Sequence, residues 1–132
     1  MTEIADIIQQ YTHIGYMLKT DGFRLGVPKQ MPREQAELLF QHKREVIAYL
    51  CDKEAKQAGF VIGVPGEIYF ATVRRDVGYE MTVYMERQGT TWQVWRETYT
   101  KGKPTATKDI YSGTSFTTAL QKAIRYIQAV RR

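Results

Sequence analysis

The apolar residues of this chain change their spacing at Pro65, and that change constrains the fold more than any other feature. Before it they recur at steps of three and four, as on one face of a helix: Ile4, Ile7, Ile8, Tyr11, Ile14 and Leu18, then Ala36, Leu39, Phe40, Val46, Ile47 and Leu50. After it they alternate. Tyr79, Met81, Val83 and Met85 share one side of a strand, and Trp92 and Val94 share one side of the next. The helical period returns at the end with Phe116, Leu120, Ala123, Ile124, Ile127 and Val130, while Lys122, Arg125 and Arg132 take the opposite arc. The spacing predicts an α+β fold: a helical N-terminal half packed with a four-stranded antiparallel meander closed by a C-terminal helix. The halves divide at residues 1–58 and 59–132. Phe60, Val61, Ile62 and Val64 at the boundary are too apolar for a linker, so one shared core is expected.

In detail, a helix is expected over Thr2–Lys19, with Thr2 as cap, Glu3 and Asp6 in the first turn, and Thr20-Asp21-Gly22 as its stop. An extended piece follows over Phe23–Val27. A second helix opens at Pro32 and runs to Ala58 with a break near Cys51-Asp52. Strands are expected at Ile68–Val73, Tyr79–Glu86, Trp92–Tyr99 and Thr107–Tyr111, and the last helix starts near Thr114 or Ser115. The stretch Gly-Phe-x-x-Gly-Val-Pro is written twice, at Gly22–Pro28 and Gly59–Pro65. Two readings stand: one local solution, helix–glycine–strand, used twice, or an old duplication. Both predict that Phe23 and Phe60 are buried anchors.

Charge divides with the period. Residues 1–58 carry eight Lys/Arg and eight Asp/Glu; residues 59–132 carry eleven and six, which is the whole net charge of +5. A basic lobe favours an acidic partner, nucleic acid or an acidic protein, although ordinary surface charge gives the same total. If Met81, Val83, Trp92 and Val94 face the helix, parity places Tyr84, Trp95 and Tyr99 on the other face. With Arg74, Arg75, Arg87, Lys101, Lys103 and Lys108 near, these aromatics suit a platform that stacks bases while the cations take phosphates. Glu80, Glu86 and Glu97 share that face and would repel phosphate. The same aromatics also suit a packing surface covered by the first half or by a second subunit.

The inventory gives little for catalysis. His13 and His42 are the only histidines and Cys51 the only cysteine, so no ordinary zinc finger and no intrachain disulfide can form. His42 and Glu45, one helical turn apart, read as surface chemistry rather than a metal site. No Gly-Lys-Ser/Thr follows the glycines. The expectation is no enzyme, no cofactor and no metal. The N-terminus lacks a basic leader with an apolar stretch, and no run is long enough for a membrane span, so a cytoplasmic protein away from membranes is expected.

Residues 4–50 resemble the small N-terminal docking domain of tubulysin-type peptide synthetases. Gly22-Phe23-Arg24-Leu25, Pro32 with Glu34, and His42-Lys43-Arg44-Glu45-Val46 with Leu50 match that pattern in order. The resemblance implies a helix, a hairpin and two helices, often dimeric, binding a partner's terminus. The family's second hairpin strand, before the turn, has almost no room here between Val27 and Pro32. The second half loosely resembles the three-stranded arm domain with which tyrosine recombinases bind DNA, through Trp92-x-Val94, the basic turn, a further strand and a helix. It also loosely resembles a double-stranded-RNA-binding domain, but lacks that domain's first helix and basic helix start. The leading expectation is a non-enzymatic nucleic-acid-binding accessory protein of a phage or mobile element, with DNA favoured over RNA. The alternative is a protein-docking adaptor acting through the helical half. Either allows a homodimer.

Overall fold

The computed structural model describes residues 2–131, without the side chains of Thr2 and Glu3. The cap expected of Thr2, the first-turn role of Glu3 and the position of Arg132 lie outside the described residues. The expected α+β architecture is present. The N-terminal half runs α1 (Thr2–His13), β1 (Lys19–Thr20), β2 (Leu25–Gly26), α2 (Arg33–Gln41) and α3 (Lys43–Gln57). Five antiparallel strands follow in sequential order: β3 (Val61–Val64), β4 (Ile68–Asp76), β5 (Tyr79–Gln88), β6 (Thr91–Thr100) and β7 (Ala106–Gly113). Helix α4 (Phe116–Val130) follows the sheet, capped by Ser115, whose hydroxyl accepts from the Thr118 amide at 3.2 Å.

Three boundaries differ from the sequence reading. The first helix stops at His13, not Lys19. Gly15 takes φ +98°, its amide donates to Thr12 and that of Tyr16 to Tyr11, while the Tyr11 and Tyr16 rings pack 5.8 Å apart. This is a Schellman stop with its hydrophobic contact. The end of α3 repeats it: Gly59 at φ +89° donates to Lys56, and Phe60 donates to Ala55. The structural counterpart of Gly59-Phe60 is therefore Gly15-Tyr16. Gly22-Phe23 instead forms the tip of the β1–β2 hairpin, in which Lys19 pairs with Gly26 and Thr20 with Leu25. There the Asp21 carboxylate accepts from the Phe23 and Arg24 amides at 2.8 and 2.7 Å. The two copies of the repeated stretch thus serve different local structures, and their phenylalanines differ too. Phe60 is buried, whereas Phe23 is half-buried.

The second helix breaks at His42 rather than near Cys51-Asp52, because Leu39 and the set Val46, Ile47 and Cys51 face the core from two separate helices. The sheet has a fifth strand, β3, formed by the residues after Gly59 that the helix–glycine–strand reading makes a strand but the four-stranded meander omits; Val61 pairs with Phe70 and Ile62 with Tyr69.

One contiguous set of buried side chains runs from Ile4 to Ile127. Met81, Val83, Met85, Trp92 and Val94 all point into it, as parity predicts. Helix α4 covers part of this inner sheet face with Phe116, Ala119, Leu120, Ala123 and Ile127. The hairpin and α3 cover the rest. The Phe116 amide donates to Asp21 at 2.7 Å, and Tyr69 donates its hydroxyl to the Asp52 carboxylate at 2.6 Å. Burial, with that carboxylate beside it, pushes the Tyr69 hydroxyl well above its usual range.

Cys51 is fully buried in α3. Burial first, then the nearby Glu54 and Asp52 carboxylates, pushes its thiol up to about 12. At pH 8 the native chain should react with a disulfide reagent roughly a thousandfold more slowly than the denatured chain, since only the thiolate attacks. Equal rates in buffer and in denaturant would show that this helix face is open.

Two chemically opposite faces of the sheet

Register decides which side chains meet. On the face away from α4, Phe70 pairs with Tyr84 and Tyr84 with Trp95. The Phe70 and Tyr84 rings lie 6.0 Å apart, and Tyr84 stacks on Trp95 at 5.4 Å with 15° between planes. Val61, 53% exposed, continues this row at the β3 edge. Acids flank it. Asp109 sits opposite Trp95, Glu97 accepts from the Trp95 indole at 3.1 Å, and Glu80 and Glu86 lie on the same side of β5. Tyr99, half exposed, neighbours Glu80, which holds Arg75 at 2.6 Å. Burial and then the Glu97 and Glu80 carboxylates raise the Tyr84 hydroxyl above its usual range.

Two β-bulges set this charge layout. In β4 the pairing skips Val73, so Arg74 meets Met81 and turns to the helix side, while Arg75 takes the outer face. In β7 it skips Ile110, so Asp109 meets Trp95 and Lys108 meets Arg96. Without that second bulge Lys108 would oppose Glu97 on the aromatic face. One extra residue reverses which of two neighbours faces out.

The opposite side is basic. Arg74 donates to the Val130 carbonyl at 2.7 Å, Arg96 donates to the Tyr126 hydroxyl at 3.0 Å, and the Lys108 ammonium lies 6.0 Å from the Tyr126 ring centre. Lys122 and Arg125 are exposed on α4, and Arg131 donates to the Thr72 carbonyl. Residues 116–132 carry no acidic side chain. Among the described residues none of these cations has a carboxylate within ion-pair distance.

The nine residues singled out in sequence therefore fall in separate places. Tyr84, Trp95, Tyr99 and Arg75 share the aromatic face. Arg74 and Lys108 lie on the helix side. Lys101 and Lys103 sit exposed in the β6–β7 turn, and Arg87 lies 4.7 Å over the Phe23 ring at the hairpin. The structure does not bring them together as one platform. Of the six acids in residues 59–132, four (Glu80, Glu86, Glu97 and Asp109) occupy the aromatic face. Phe70, Asp109, Arg96 and the exposed pair Lys122 and Arg125 are functional candidates that the sequence pattern alone does not mark. A strict period of two along β4 could have found Phe70, but nothing short of pairing could have found Asp109.

The chain matches no family model, no curated protein and no solved structure. No helix among the described residues is long and apolar enough to cross a membrane.

Proposed function

We propose that this chain is a non-enzymatic accessory protein that lays the cation-rich helix side of its C-terminal half, where Asp76 at the end of β4 is the one acid of the sheet, on a nucleic-acid backbone. The observation that carries the reading is the separation of charge by face: the cations of the helix side lack carboxylate partners, while most acids of the same half face away. Phosphate binding of this kind is independent of sequence and sensitive to salt. Duplex DNA suits it better than a single strand, since the stacking rings lie among the acids. The non-enzymatic part rests on Cys51, buried and held protonated, and on His13 and His42, which sit at the ends of separate helices. The reading places the protein in a reducing cytoplasm, in a phage or mobile element.

Fluorescence anisotropy with a labelled DNA duplex over a range of salt tests it. Replacing exposed Lys108, Lys122 and Arg125 by Gln should weaken binding across sequences. It should also make the log–log salt slope shallower by about 0.9 for each phosphate the variant no longer neutralises. Trp95→Thr should leave duplex affinity unchanged. Absence of salt-sensitive binding by the unaltered chain removes this reading.

A docking adaptor is the second reading. The order helix, hairpin, helix, helix favours it, together with Ile14 and Met17, 66% and 70% exposed beside the hairpin. A whole-chain bait should then capture a partner that the Ile14→Asp, Met17→Asp bait loses.

A further inference from the structure

We infer that the aromatic face of the sheet is a docking surface for an arginine- and lysine-rich segment of a protein partner. The face combines two features that separately suit a cation. The stacked Tyr84 and Trp95 rings, extended by Phe70, offer π surfaces on which a guanidinium lies flat. Glu86, Glu97 and Asp109 stand around them, with Glu97 held in place by the Trp95 indole. Arg75 is the one cation on the face among the described residues, and Glu80 already engages it.

The same charges reject other occupants. A phosphate backbone would meet carboxylates on both sides of the row. A second copy docked through the same face would set Glu86, Glu97 and Asp109 against their own counterparts, and like charges placed so cost binding. A second copy could offer its basic side, but Arg74, Arg96 and Arg131 there are committed to acceptors within their own chain, and the exposed Lys108, Lys122 and Arg125 are fixed on a strand and a helix that cannot lie along the row as an extended segment does. A free basic segment has no such commitments. The row from Val61 to Trp95 crosses four strands, roughly 15 Å at the usual strand spacing, which about five extended residues span. This surface is separate from the one proposed for nucleic acid, and neither reading needs the other.

The test uses the full ¹⁵N-labelled chain and a nona-arginine peptide. The peptide should shift the Trp95 indole N–H and the amides of Phe70, Tyr84 and Glu97. The double variant Glu86→Gln, Asp109→Asn, which alters side chains outside the core, should bind it on the order of tenfold more weakly. Shifts confined to the acids of α2 and α3, or equal affinity in the variant, would overturn the proposal. So would perturbation of this face by a twelve-residue oligothymidine, which would make it a nucleic-acid site. Shifts on this face that follow protein concentration alone would assign it to a second copy instead.

Discussion

Gly22→Ala should destabilise the chain by about 3–4 kcal/mol, while Gly59→Ala, at the same place in the repeated stretch, should cost about 1–2 kcal/mol. Both glycines sit in the left-handed region, at φ +97° and +89°. A side chain there costs about 1–2 kcal/mol whatever the space. Their surroundings differ. A Cβ on Gly59 meets nothing within 4 Å. One on Gly22 would overlap the Trp92 indole nitrogen, lie 2.8 Å from its Cε2 and 3.0 Å from the Phe116 Cβ. Trp92 and Phe116 are themselves fully buried, so neither can move aside without disturbing its neighbours. Forced overpacking of this kind adds about 1–3 kcal/mol. Urea midpoints at unchanged m-value measure both costs. Equal losses at the two glycines would mean that the hairpin does not press on the sheet.

That contrast shows where the sequence was legible. Spacing located α4, its start near Thr114 or Ser115 and the inward positions of β5 and β6, because in each the burial of one face repeats along the element. It failed at Gly15. There Leu18 continues the helical spacing by chance, and pattern alone puts the stop at the next glycine, seven residues on. It made the residues after Gly59 a strand but did not join them to the sheet as β3, because four residues give too few alternations to show which face is buried. It failed for Arg74, Lys108 and Asp109 for a sharper reason. Their faces depend on bulges at Val73 and Ile110, which are properties of a pair of strands and leave no mark on either strand alone. The aromatic row was half visible, as Tyr84 and Trp95; its acid surround on β7 was not.

Trp92→Ala should cost about 3–5 kcal/mol and should lower the stability of both halves together. Trp92 has no exposed surface. Its ring packs 4.9 Å from Phe116 in α4, 6.2 Å from Tyr69 in β4 and 6.1 Å from Phe23 in the N-terminal hairpin. One side chain thus joins the helical half to the sheet and the sheet to its closing helix. Hydrogen exchange reads the consequence: slow amides in α3, β5 and α4 should lose protection by similar amounts, as one cooperative unit does. Protection retained in α3 alone would mean that residues 1–58 hold a core of their own. Trp92→Phe should cost less than half as much. The indole N–H is buried without an acceptor among the described residues, so phenylalanine keeps most of the apolar contact and removes a donor that goes unpaired. A phenylalanine variant as unstable as the alanine one would instead mean that the N–H is satisfied in solution, and that the hairpin tip opens far enough for water to reach it.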